Sequence, residues 1–205
     1  MSASLENTTM ALLRAAKAGD TRATSRLLER YRDRLLQVVS LLIGKRRSGL
    51  LEDEEDLVQD TLLEAFQGLA SFTPSSDGAL LHWLARIAEN NLRDAARRQK
   101  ALKRGEGRVR PRADLSSAFL RSSIFPGREP TPSEVAMGHE LAQRAEAVLV
   151  GFPERERRVF VMRRLCEVPF EQIAAELGLA SAAVARSLYS RLMARLLARL
   201  SDPPD

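Results

Sequence analysis

At 205 residues the chain can form one domain or two small ones, and a hydrophobic content of 44% suffices for a packed core. The charge balance is basic, with 32 Lys and Arg against 27 Asp and Glu and a pI near 10.0, which favours a polyanionic partner. A single cysteine, Cys166, excludes an intramolecular disulfide, and with only His82 and His139 beside it a structural zinc site is not expected.

The first ten residues, MSASLENTTM, lack the basic-then-apolar order of a secretion signal. Leu12 to Lys17 reads as a short helix ended by Gly19, and Asp20 as the cap of a longer one running towards Ile43. The apolar stretch LLQVVSLLIG at 35–44 is shorter than the roughly 20 residues of a membrane span, so it reads as a buried helix stopped by Gly44. No membrane insertion and a cytoplasmic location are expected.

After a connection at 44–50, a third helix begins near Asp53 and fades at Gly68. Val58, Leu62, Ala65 and Leu69 form its core-facing stripe at helical spacing, while Asp53, Asp56, Asp60, Glu64 and Gln67 line another side. Acids in the first turn suit the positive end of the helix dipole, which accounts for Asp53 to Asp56. It does not account for Asp60 and Glu64, so the stripe is either a docking face for a basic partner or a solvated surface.

Residues 71–78, rich in Ser, Pro and Gly, read as a loop, and a fourth helix follows from Ala79 to Gln99. Leu80, Leu84, Ile87, Ala88, Asn91 and Ala95 mark its inner side. Trp83, Arg86, Asn90, Arg93 and Arg97 line another at steps of three and four. Arginines bind phosphate, amides read base edges and an aromatic ring stacks on an unpaired base. Trp83 taken alone is also compatible with a half-buried packing role. Bases continue through Arg98, Lys100, Lys103, Arg104, Arg108, Arg110 and Arg112. From 93 to 112, nine bases against Asp94 and Glu106 leave +7, more than the +5 of the whole chain. A polyanion is the natural partner for that segment.

From Lys100 to Pro130 the glycines, prolines and bases read as a flexible basic linker, with an apolar patch at Leu115, Phe119, Leu120, Ile124 and Phe125. The domains expected are therefore 1–99 and 131–205, joined by 100–130. Thr131, Pro132 and Glu134 form a capping box that starts the next helix. Another helix starts at Pro153. Then PFEQIAAELGLASAAVARSLYSRL at 169–192 has a helix-turn-helix layout. Ile173, Ala174 and Leu177 form the buried side of its first helix, Gly178 supplies the turn, and Val184 and Leu188 begin the second helix, one turn apart.

The order of these parts resembles the sigma-70 family of bacterial transcription initiation factors, in its short extracytoplasmic-function (ECF) class. DEEDLVQDTLLEAF (53–66) looks like the family's polymerase-binding helix, FTPSSDGALLHWLARIAENNLRDAARR (72–98) like its promoter-melting and −10-reading segment, and FPERERRVFVMRRLCEVPFEQIAAELGLASAAV (152–184) like its −35-reading domain. The resemblance implies an all-α fold, with two helical domains joined by a flexible linker and a C-terminal helix-turn-helix. It implies a sigma factor that binds core RNA polymerase and promoter DNA and directs initiation, with no catalysis, cofactor, metal or small-molecule substrate. An anti-sigma factor is a further partner common in the class. Asp53, Asp56, Gln59 and Asp60 would dock on the polymerase. Trp83, Arg86, Asn90, Arg93, Arg97 and Arg98 would handle the −10 strand. The −35 helix departs from the family pattern: Ala182 and Ala183 precede Val184, where Gly-Thr is common, and Ala185 follows where a base is common. That leaves Arg186, Ser187, Tyr189, Ser190 and Arg191 as candidate readers. The alternatives from the residues alone are a standalone helix-turn-helix regulator and a helical adaptor.

Overall fold

The computed structural model describes residues 9–44, 54–74, 78–102 and 132–201. Among these residues there are eight α-helices and no strand: α1 (Thr9–Lys17), α2 (Thr21–Ile43), α3 (Glu54–Gly68), α4 (Ala79–Leu102), α5 (Pro132–Val150), α6 (Glu154–Phe160), α7 (Phe170–Leu177) and α8 (Ala182–Ser201). The all-α fold expected from the sequence is observed. Asp53, the segment 45–50, the linker from 103 to 131 with its apolar patch, and Thr131 of the capping box lie outside the described residues.

Helix ends follow local chemistry. The Asp20 carboxylate accepts from the backbone N–H groups of Arg22 (2.8 Å) and Ala23 (3.1 Å), which satisfies two of the orphan donors at the start of α2. Gly178 ends α7 in the left-handed region at φ 60°, which a side chain would resist. The Ser181 side chain accepts from the N–H of Val184 at 3.3 Å and starts α8.

Helices α2, α3 and α4 pack together around Leu35, Val38, Leu57, Val58, Leu84 and Ala88. The C-terminal helices close on Leu149, Phe160, Ile173, Ala185 and Leu192. Burying each leucine or isoleucine of this kind contributes about 1.5–3 kcal/mol. Ala174 and Ala185 are small residues buried where α7 meets α8, so the two helices of the helix-turn-helix approach closely. A single π-helical turn at Val161–Leu165 follows α6, an element that the sequence pattern does not announce.

These groups of helices join in one continuous core, and polar groups lock them. Helix α2 contacts both α5 and α6. The Ser40 hydroxyl donates to the Glu146 carboxylate at 2.7 Å. The Arg157 guanidinium, only 6% exposed, donates to the carbonyls of Leu41 (2.6 Å), Leu42 (3.3 Å) and Phe152 (2.5 Å). It therefore caps the carbonyl end of α2, where the helix dipole favours a cation. Gly44 leaves the space for it, since a Cβ there would collide with the guanidinium.

Cys166 is 1% exposed. Burial pushes its thiol well above the usual range, and the carboxylates of Glu89, Glu176 and Glu167 add to the shift. Only the thiolate reacts with alkylating agents, so the native chain is expected to resist iodoacetamide at pH 8 and to take up one equivalent after denaturation. Mass spectrometry of the two samples checks this, and rapid native labelling would contradict it.

Candidate nucleic-acid and protein interface

Helix α3 presents two faces, as its periodicity requires. Leu57, Val58, Thr61 and Ala65 are buried, with the Thr61 hydroxyl donating to the Leu57 carbonyl at 2.6 Å. Asp56, Gln59, Asp60, Glu64 and Gln67 are exposed. Leu63 and Phe66 stand out beside them at 60% and 50% exposure. These two apolar residues were not among the sequence candidates, although their helical phase places them outside the Val58–Leu62–Ala65–Leu69 stripe. An acidic face that carries two large exposed apolar side chains is a poor solvated surface and a good protein-docking one. At the start of α3, Glu55 accepts from Arg32 of α2 at 3.2 Å.

Helix α4 carries the aromatic and basic row. Its inner side is as expected: Leu80, Leu84, Ile87, Ala88 and Ala95 are buried, and the Asn91 amide donates to Thr61 of α3 at 3.3 Å. Trp83 is half-buried, stacked on Phe72 with ring centroids 4.8 Å apart, and its ring lies over Gly68. Lys17 donates to the Phe72 carbonyl at 2.7 Å and ties this corner to α1. The indole thus rests on a prepared aromatic platform. Arg86, Asn90, Arg93, Arg97 and Arg98 are all exposed. Arg93 donates to Asn90 (2.8 Å) and Glu89 (3.0 Å), and Arg97 to Asp94 (3.2 Å), so these guanidinium groups are oriented within the helix. Such exposed pairs are weak and exchange readily for phosphate.

In α8, Arg186, Ser187, Ser190 and Arg191 are exposed. Tyr189 is half-buried, edge-on to Phe170 at 5.9 Å, and burial raises its phenol pKa more than Arg164 and Arg163 lower it. Arg186 and Arg163 both lie over the Phe170 ring, at 5.3 and 5.0 Å, which fixes two cations on one side of the motif. Arg163 and Phe170 were not singled out in the sequence. Val184 is 41% exposed, while Ala185 is fully buried. The small Ala185 fills the inner place because α7 passes close there, while Val184 faces outward.

The three residue groups lie on three helices. Because α3 and α4 pack side by side, the acidic face and the aromatic row belong to one group of helices, whereas the α8 residues belong to the helix-turn-helix. Among the described residues no cluster of His, Cys, Asp and Glu could hold a metal ion. No helix of the described residues is long and apolar enough to cross a membrane.

A profile of the ECF sigma factor family matches residues 6–200. The chain belongs to that family. Among curated ECF relatives, it is 32% identical over 163 residues to the ECF RNA polymerase sigma factor SigG of Mycobacterium tuberculosis, covering 74% of this chain and 43% of that protein. It is 28% identical over 171 residues to the ECF RNA polymerase sigma-E factor of Escherichia coli, covering 82% of each. The chain thus spans less than half the length of SigG and most of the length of sigma-E. Among solved structures, the ECF family chain is similar to CnrH in complex with the cytosolic domain of CnrY, with a TM-score of 0.49, 25% identity, and coverage of 92% of this chain and 94% of that one.

Proposed function

We propose that this chain is a promoter-specificity subunit that binds core RNA polymerase and directs transcription initiation. The ECF sigma factor family is not an enzyme family. The observation that carries the reading is the exposed face of α3, where Asp56, Gln59, Asp60, Leu63 and Phe66 stand together. In this reading that face docks on a basic, partly apolar surface of the polymerase. Residues 1–99 form the unit that opens and reads −10, with Trp83 and Asn90 meeting the unpaired strand and Arg86, Arg93, Arg97 and Arg98 meeting phosphates. Residues 131–205 form the unit that reads −35. The N-terminal end of α8 enters the major groove there, with Arg186, Ser187, Tyr189, Ser190 and Arg191 at base edges and backbone. An anti-sigma factor is the regulator proposed for it.

The test is transcription in vitro with core polymerase and a promoter library, followed by sequencing of transcript 5′ ends. Discrete start sites with a shared upstream element are expected. Trp83→Ala is expected to reduce open-complex formation by about 5- to 150-fold, the equivalent of roughly 1–3 kcal/mol of lost base stacking, while core binding is unchanged. Absence of initiation together with tight binding to duplex DNA alone would replace this reading by a standalone regulator.

A further inference from the structure

Side chains of α2, α4 and α6 line a cavity of about 160 Å³, and we infer that it is a binding site for a small carboxylate with an apolar body. Half of its lining is apolar: Leu42 and Ile43 at the end of α2, and Leu92 and Ala96 on α4. Leu42 and Ile43 are buried, and Leu92 and Ala96 are half-buried. A cavity of about 150 Å³ lined by such side chains holds one benzene-sized molecule. The body that fits is therefore an aryl or branched alkyl group of about six heavy atoms.

The charged half of the lining decides the polar end of the ligand. It consists of Glu89 and Arg93 of α4 and Glu154 and Arg158 of α6. Glu89 is fully used. It accepts from Arg158 Nε (2.9 Å) and Nη2 (2.8 Å) and from Arg93 Nη2 (3.0 Å). A ligand cation would have to displace a guanidinium from it. The two arginines are not used up. Arg93 gives Nη1 to Asn90 (2.8 Å), which leaves its Nε–H, and Arg158 keeps its Nη1 amino group. Among the described residues neither of those two nitrogens makes a hydrogen bond. Two cations therefore share one buried-side anion and hold spare donors, which is what a carboxylate pairs with. Glu154 opposes an anion, but it is exposed and already engaged, so water screens its charge. Free phosphate has no apolar body to fill the cavity and would set a second negative charge against Glu154. Apolar walls with a few convergent polar groups are the usual build of a small-molecule site.

Benzoate is the probe, titrated into the full chain with labelled Ile and Leu methyl groups and followed by NMR. Saturable shifts are expected at Leu42, Ile43 and Leu92, because a bound ring lies against their methyls, with half-saturation at about 1 mM or below. Benzylamine, a body of the same size with the opposite charge, should leave them unmoved. Benzyl alcohol should bind at least about tenfold more weakly than benzoate, since the charge-assisted bonds are lost. Ala96→Phe fills the cavity with a ring of its own and should abolish benzoate binding while both arginines remain. Arg158→Gln should weaken benzoate by at least about tenfold. Glu154→Gln should tighten it, by up to about fivefold. The absence of methyl shifts with benzoate, equal shifts with benzylamine, undiminished binding in Ala96→Phe, or weaker binding in Glu154→Gln overturns the site. The comparison of the three ligands uses the parent chain alone, so it decides the matter even where a variant fails to fold. The titration needs neither polymerase nor DNA, so its failure is distinct from failure of the transcription assay.

Discussion

In the double variant Asp56→Lys/Asp60→Lys, affinity for core RNA polymerase is expected to fall by at least about 100-fold, because like charges set against each other across an interface cost several kcal/mol. Both side chains are exposed on α3, and neither belongs to the buried set Leu57, Val58, Thr61 and Ala65 that holds the helix in place. The helical circular dichroism of the free chain should therefore be retained and its stability fall by no more than about 1–2 kcal/mol, because a lysine in place of Asp56 opposes the dipole in the first turn of α3. Loss of binding with an intact fold separates a docking face from a structural one. The loss should be largest at low salt, where a basic partner surface repels the new lysines most. Pull-down or fluorescence anisotropy against core enzyme measures it. Retained affinity would reduce the stripe to a solvated surface, and the burden of docking would pass to Leu63 and Phe66.

The parts of the fold that were legible in the sequence are those governed by neighbours along the chain. Asp20, Gly44, Pro153 and Gly178 mark helix boundaries because caps and stops act within one turn, and the observed helices begin or end beside each of them. The two faces of α3 were legible because a period of 3.6 residues sorts Val58 and Ala65 from Asp56 and Asp60. The same rule places Leu63 and Phe66 outward, but an apolar residue is assumed to be inside until its phase is counted. In α8 the inward residue is the small Ala185 and not the more apolar Val184, because Ala185 better fits a close helix crossing. Size decided there, and size is set by the partner helix. The clasp between the N-terminal and C-terminal helices was not legible at all. Its members, Ser40 with Glu146 and Glu89 with Arg158, are 106 and 69 residues apart, and polar residues carry no periodic signal. Trp83 lies between these cases: its stacking on Phe72 makes it both a packed residue and a presented one.

Arg157→Ala is expected to lower stability by about 2–3 kcal/mol, through the loss of charge-assisted bonds and the exposure of unsatisfied carbonyls. For a chain of this size that corresponds to a fall of about 5–10 °C in thermal midpoint. Two of the three acceptors, the Leu41 and Leu42 carbonyls, belong to α2, and the third, that of Phe152, belongs to the Arg157 side of the contact. With one continuous core, the parent chain should unfold in a single cooperative transition, whereas the variant should resolve an earlier one from the less stable group of helices. Arg157→Lys should fall between the two, because an ammonium keeps the charge at the end of α2 but cannot reach three carbonyls with the planar fork of a guanidinium. Differential scanning calorimetry distinguishes the outcomes. An unchanged midpoint in Arg157→Ala would mean that α2 and α6 are not held together through this cation, and the clasp would rest on Glu89 with Arg158 and Ser40 with Glu146.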